Sequence, residues 1–338
     1  MTSKYFKTKF FDIVVGLIPE VGEMQVPNFK TPLAPNGMKD YTRNPYAVNC
    51  LNLTRTKCNI PLSQLERAQA LYLKRLLSDK EFVTVLKEIK PLTLEEALHG
   101  NEESKRLNFK TSMGFPENSP KYTSLVLIDA ISSKYQLTDE QSDHLKRYID
   151  SGCKGEFNHA VFTGALKDEP IKKSKMILAM IRMFYGAPFT LTIVGRMYFL
   201  PLINLFMKFP HLTETLIGVR TDSEMWSQVA ENLLSYSDGG KVCNGDFQKW
   251  DVSLSVLLLL TAYGVLIELA KHSIHYSDEA IKIMESYTSD CVHPCVSINS
   301  DLADVHGINV SGVPTTTIVN SISESIAFRC AYMDITGD

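Results

Sequence analysis

The chain has no internal repeat, no low-complexity tract and only two tryptophans among its 338 residues. Glycine (18) and proline (15) are too few for a collagen-like or Pro/Gly-rich disordered protein, while 44% hydrophobic against 22% charged residues is ample for a core. Cysteine is also sparse. The seven present are odd in number and scattered, which excludes a disulfide scaffold and fits reduced thiols in a cytosolic setting. Their one tight group, Cys291-Val-His293-Pro-Cys295 with His272 and His275 upstream, lacks a second ligand pair at zinc-finger spacing. It reads as buried thiols in a β segment. Long apolar runs are scarce as well. Residues 10–18 follow Lys4, Lys7 and Lys9 as in a secretory leader, but Asp12 interrupts them and no small-x-small cleavage site follows. Residues 252–267 are short for a membrane span and bounded by Asp251, Glu268 and Lys271, so they read as a helix buried in a large core, with no transmembrane span.

Positive charge is what the last third lacks. Residues 221–338 carry 5 Lys+Arg against 16 Asp+Glu, whereas residues 1–110 carry 17 against 12 and residues 111–220 carry 13 against 10. The net charge of −3 therefore conceals a basic two-thirds joined to an acidic end. Such a split suits a protein that grips a polyanion with one part and does carboxylate or metal chemistry with the other. Two solvated surfaces of opposite sign is the plainer alternative.

Residues 20–61 are rich in Pro and Asn with little periodicity, and read as an extended arm. Capping boxes then mark helices: Ser63/Glu66 to about Leu77, Thr93/Glu96 stopped by Gly100, Thr138/Gln141 stopped by Gly152, and Thr221/Glu224 to about Leu234. A buried helix is expected over 253–272, and Ser277 caps another to about Tyr287. Strand signals lie at 241–247 and in a hairpin formed by 291–298 and 302–310. After Pro314 the pattern is helical. The fold class is α+β, with more helix than strand.

Four segments bear chemistry. In Gly245-Asp246-Phe-Gln-Lys-Trp-Asp251 a strand ends in one carboxylate and a helix begins at a second, so Asp246 can ligate a hard cation; Asp251 is equally placed to be a helix N-cap. In Ser311-Gly312-Val-Pro314-Thr-Thr316-Thr-Ile-Val-Asn320 a hinge leads into a helix with Thr316 and Asn320 on one face. Lys167-Asp168-Glu169 with Lys172, Lys173, Lys175 and Arg182 forms a basic ribbon able to hold phosphates, or a solvated loop. Lys110-Thr111-Ser112-Met-Gly114-Phe-Pro116 is a turn with a basic lead-in.

Taken in chain order, the 110–116, 167–182, 245–251 and 311–320 segments resemble motifs G, F, A and B of the picornavirus-type viral RNA-dependent RNA polymerases, with a lean to the dicistrovirus and marine picorna-like branch. Residues 91–100, Ile217-Gly218 and Trp226 support the match, which runs from about residue 27 to the end. The resemblance implies a right-hand polymerase: fingers with an N-terminal arm over 1–190, palm with motif A over 191–290, a fingers hairpin over 291–308 and an incomplete palm with motif B over 309–338. It implies template-directed nucleotidyl transfer from NTPs to an RNA 3′-end. Asp246 would be the catalytic metal ligand for Mg²⁺, or Mn²⁺ in its place. Asp251 and Asn320 would read the ribose 2′-hydroxyl, which donates and accepts. Ser311 and Gly312 would form a moving loop and Thr316 would support the nucleotide pocket. Lys167 and Arg182 would meet the triphosphate, and Thr111 and Ser112 the template backbone. RNA template and primer, NTPs and other viral replication proteins would be its partners, at replication complexes in the host cytoplasm.

Two departures stand out. Met180 occupies the position where the family has a Lys ahead of Arg182. The family's motif C, an apolar strand ending in Gly-Asp-Asp, does not follow Asn320; Thr336-Gly337-Asp338 comes too early and ends a helix. The resemblance therefore implies a fragment without motif C or thumb. A non-catalytic RNA-binding or replication-complex scaffold of palm-like fold is the alternative, though it has no need of the Asp251/Asn320 pair. The expectation is that the purified chain by itself extends no primer, which a primer-extension assay measures.

Overall fold

The computed structural model describes residues 24–25, 44–167, 169, 171–172, 174–175, 178–220, 222–236, 245–299 and 301–337. Strand β1 (Met24–Gln25) precedes four helices: α1 (Pro45–Leu53), α2 (Leu62–Ser78), α3 (Lys80–Glu88) and α4 (Leu94–His99). A hairpin of β2 (Leu125–Asp129) and β3 (Lys134–Leu137) leads into α5 (Asp139–Cys153). Strands β4 (Val161–Leu166), β5 (Ile171–Lys172) and β6 (Met183–Gly186) precede α6 (Phe189–Lys208) and α7 (Glu224–Ser235). The short α8 (Trp250–Ser253) is followed by α9 (Val256–Lys271) and α10 (Asp278–Val292), then by β7 (Cys295–Ile298), β8 (Asp301–Asp304) and α11 (Thr316–Thr336). This is the α+β, helix-dominated class expected.

Local chemistry explains most boundaries. Thr93 and Glu96 form both bonds of a capping box at α4, Thr138 caps α5, Ser255 caps α9 and Ser277 caps α10. Several expectations are corrected. Helix α2 begins at Leu62 behind Pro61, so Ser63 lies inside the first turn and cannot cap. Residues 20–61 are not all arm: Asn44 caps α1 by accepting from the Tyr46 N–H at 2.9 Å, and Pro45 sits where a helix tolerates it best. Gly152 does not stop α5. It lets α10 approach, since a Cβ there would stand 3.2 Å from Ile283 Cγ1. Ser223 occupies the cap position of α7, but its hydroxyl donates back to the Arg220 carbonyl at 2.7 Å and caps no helix N–H; Thr221 lies outside the described residues. Residues 241–244 of the expected strand are also outside them, and 245–247 are irregular.

The hairpin is shorter than its sequence pattern, because α10 continues to Val292. Met284, Tyr287, Thr288 and Cys291 recur at helical spacing and are all buried, so packing carries the helix past Tyr287. Cys291 is therefore a helical core thiol and not part of a β segment. The hairpin closes a four-stranded sheet in the order β6-β4-β7-β8. Strand β4 is antiparallel to β6 and parallel to β7, with Thr163 opposite Gly186 and Val161 opposite Cys295. Beyond β8 the chain turns at Gly307 (φ +69°), where a Cβ would stand 2.9 Å from the Leu254 carbonyl.

Helix α9 is the centre of the core. Leu258, Leu259, Ala262, Tyr263, Val265, Leu266, Leu269 and Ala270 are buried against α2, α6, α10 and α11, while Leu257 and Leu260 lie exposed on the remaining stripe, so the helix is not buried all round as expected. That environment accounts for the apolar run of 252–267, although Asp251–Ser253 belong to a separate short helix. Among the described residues α6 alone is long and apolar enough to cross a membrane, and 78% of its apolar window is buried inside the fold. It had no sequence signal of its start, because Pro188 in the cap position makes no side-chain bond.

Asp290 on α10 is fully buried, accepting from the Tyr148 hydroxyl at 2.6 Å and the Ala160 N–H at 3.0 Å. Burial raises its carboxyl from 3.8 to about 6. The fold thus holds a proton between those values that the unfolded chain releases, so this group's stabilising contribution is lost as pH rises through that window. Asp290→Asn keeps the shape and can meet both partners. The wild-type-minus-variant unfolding free energy should fall by up to about 3 kcal/mol between pH 4 and pH 7, measured by urea denaturation.

Candidate active site

The loop that leads into α11 is held by backbone proximity. The Ser311 hydroxyl accepts from the Tyr185 N–H of β6 at 2.9 Å. Gly312 lies directly on the same strand, where a Cβ would stand 2.0 Å from the Tyr185 carbonyl oxygen and 2.7 Å from the Ala187 nitrogen. Thr315 is buried with its hydroxyl between Tyr263 (2.8 Å) and Tyr287 (3.2 Å). The Thr316 hydroxyl reaches the carbonyls of Val310 (2.7 Å) and Val313 (2.9 Å) and so closes the loop on itself. One turn on, half-buried Asn320 accepts through Oδ1 from Asn309 Nδ2 at 2.7 Å.

Asn309 also joins the two halves of the site. Its backbone N–H donates to the Asp251 carbonyl at 2.9 Å, and Nδ2 donates to the Thr316 carbonyl at 2.8 Å. Asp251, through its main-chain carbonyl, and Asn320, through its side chain, are therefore each one hydrogen bond from Asn309. Asp251 is not an N-cap: it lies exposed in the first turn of α8, behind left-handed Lys249 (φ +57°). Lys57 stands near it, donating to the Val252 carbonyl at 2.7 Å; burial lowers the Lys57 amine and the Asp251 charge raises it in part. Burial raises the Tyr185 phenol, and the Asp251 charge adds to the shift.

Asp246 is exposed on irregular chain. Its neighbour Phe247 stacks on Trp250 (4.3 Å between centroids) and meets Phe328 of α11 edge-on (6.3 Å). An exposed carboxylate is a suitable hard donor for Mg²⁺. Among the described residues no group of three His, Cys, Asp or Glu forms a metal cluster, which includes the Cys291/Cys295 segment.

The basic ribbon starts at the end of β4. The Lys167 N–H donates to the Arg182 carbonyl at 2.8 Å, and Glu169 lies 3.4 Å from both the Lys167 amine and the Arg182 guanidinium. Asp168 and Lys173 are outside the described residues. Lys175 and Met180 are exposed. The 111–116 turn packs on the other end of β6: a Cβ on Gly114 (φ +80°) would stand 2.4 Å from the Ala187 carbonyl. Thr111 and Ser112 are exposed but engaged by buried Lys121, whose amine donates to Thr111 Oγ1 (2.9 Å) and to the Ser112 carbonyl. Burial pulls that amine down to about 8.

The sequence model of the viral RNA-dependent RNA polymerases matches residues 21–338. The chain belongs to that family. It is 28% identical over 246 residues to the genome polyprotein of avian encephalomyelitis virus (strain Calnek vaccine), covering 71% of this chain and 11% of that protein. It is 25% identical over 249 residues to the replicase polyprotein of acute bee paralysis virus (strain Rothamsted), covering 72% and 13%. The structure of the Sicinivirus 3Dpol RNA-dependent RNA polymerase matches 98% of this chain and 64% of its own length, with TM-score 0.77 at 20% identity. The fold is thus that of a right-hand polymerase, and the chain spans about a tenth of the polyproteins it matches.

Sequence reasoning missed Asn309, Glu169, Tyr185 and Lys121. Asn309 had a signal: an amide between Ile308 and Val310, in an apolar stretch, requires a partner. The glycine contacts give a stability prediction. Gly312→Ala forces backbone against backbone and should cost about 1–3 kcal/mol in denaturant unfolding. Gly186→Ala on the same strand, with only contacts at 3.8 Å, should stay within about 0.5 kcal/mol.

Proposed function

We propose that the chain supplies the fingers and part of the palm of an enzyme that copies an RNA template, adding NTPs to an RNA 3′-end in viral genome replication. Residues 1–190 and 291–308, which include the β7–β8 hairpin, are assigned to the fingers, and 191–290 with 309–338 to the palm. The observation that carries this reading is the joining of Asp251 and Asn320 through Asn309. A carboxylate that accepts beside an amide that donates suits a hydroxyl that does both, and so recognises ribose.

The other assignments follow from position. Asp246 would hold Mg²⁺, which supplies charge stabilisation for the primer hydroxyl and the departing pyrophosphate. Lys167 and Arg182 share Glu169 in exposed ion pairs, which are weak enough for a triphosphate to displace. Ser311 and Gly312 hold the loop against β6, and Thr316 shapes the first turn beneath Asn320. Thr111 and Ser112, fixed by Lys121, face the template strand. Met180 leaves Arg182 and the neighbouring lysines as the ribbon's phosphate contacts.

Equilibrium binding of Mg-ATP and Mg-dATP to the purified chain tests the reading. Wild type should prefer ATP, and Asp251→Ala and Asn320→Ala should each reduce the ATP/dATP ratio about tenfold, equivalent to about 1.4 kcal/mol. Asp246→Ala should weaken the Mg²⁺-dependent part of binding to both nucleotides. Equal wild-type binding of ATP and dATP would sink the assignment and favour the RNA-binding scaffold.

A further inference from the structure

We infer that Asn309 is a positioning residue that sets the donor–acceptor polarity of the Asn320 amide, and through it the preference for ribose over deoxyribose. The inference rests on the polymerase reading of the site and goes beyond it, since Asn309 itself need touch no nucleotide.

Asn309 is only 3% exposed, and its side chain lies against the first turns of α11. The oxygen and nitrogen of an amide are alike in shape, so their assignment must come from the partners. Here one partner is unambiguous. The Thr316 carbonyl can only accept, so the Asn309 atom 2.8 Å from it must be Nδ2. That nitrogen has a second hydrogen, and Asn320 lies 2.7 Å away to receive it. Asn320 must therefore present its oxygen to Asn309, which turns its NH₂ away from Asn309. Polarity is relayed from a main-chain carbonyl, through one buried amide, to a half-buried one.

This polarity matters at a 2′-hydroxyl. The Asp251 carboxylate can only accept, so the hydroxyl hydrogen belongs to it. The hydroxyl oxygen then needs a donor, which Asn320 can be only in the orientation that Asn309 enforces. A flipped Asn320 would set two acceptors against a single hydrogen. The Asn309 backbone bond to the Asp251 carbonyl makes the same residue set the spacing of the pair.

Two variants separate relay from packing. Asn309→Asp keeps the shape but removes both donors; Asn309→Leu removes the polar group altogether. In Mg-ATP and Mg-dATP binding to the purified chain, each should lower the ATP/dATP ratio about fivefold, the scale of one hydrogen bond, with dATP affinity unchanged. In an Asn320→Ala background, Asn309→Leu should alter the ratio no further, because the group it orients is gone. An unchanged ratio in both variants overturns the proposal, as does a parallel loss of ATP and dATP affinity or a full additional effect in the Asn320→Ala background. A wild-type ratio of one removes the polymerase reading itself, whereas a wild-type preference for ATP that survives both variants removes only the relay. If neither variant folds, side-chain amide NMR of the wild type decides. Protected Asn309 NH₂ protons and solvent-exchanging Asn320 NH₂ protons, slowed by ATP but not dATP, are the expected result; the reverse protection pattern overturns it.

Discussion

Three of the four chemistry-bearing segments depend on how closely main chain approaches β6. Gly312 rests on the Tyr185 carbonyl, Gly114 rests on the Ala187 carbonyl, and Arg182 stands immediately before the strand. No side chain fits at either glycine contact. The 110–116 turn, the 167–182 ribbon and the 311–316 loop thus share one reference strand, with which β4 pairs. Displacing β6 would shift all three together, which is why a single methyl at Gly312 has consequences well beyond its volume.

Behind this strand the loop is anchored by buried hydroxyls. Thr315 sits between Tyr263 of α9 and Tyr287 of α10, and Gly195 of α6 leaves room for the Tyr287 ring, whose hydroxyl would stand 2.6 Å from a Cβ there. Three core helices thereby meet at the residue that precedes α11. A buried polar network of this kind is stable only when each member is satisfied, and it then permits a single arrangement. Asn309 extends the same principle outward, from a main-chain carbonyl to the half-buried Asn320.

Electrostatics acts differently on the two sides. The cations nearest the ribbon are held in exposed pairs on Glu169, so they are ordered yet available. Lys121 is instead buried, and its amine serves the Thr111–Ser112 turn rather than a phosphate. In the acidic last third, Asp290 is a core acceptor for Tyr148 and Ala160, leaving Asp246 and Asp251 as the exposed carboxylates beside the site. The bulk charge split is therefore a sum of structural, pairing and chemical roles that composition alone cannot separate.

Local chemistry made much of the fold readable. Capping residues at Thr93, Thr138 and Ser277, the apolar run that became α9 and the Ser-Gly-x-Pro entry to α11 act within a few residues of chain, so sequence determined them. The identity and order of the four motifs was likewise a property of sequence, and it placed the chain in its family. Boundaries set by distant packing were not readable: α10 continues to Val292 because its last turn is buried, and Gly152 admits Ile283 rather than ending a helix. Only tertiary structure decided that Lys167 and Arg182 share Glu169, that Gly114 and Gly312 dock on one strand, and that Asn309 joins Asp251 to Asn320. Each of these arrangements includes at least one contact between residues well separated in the chain, and its energy exists only once the fold has brought those partners together.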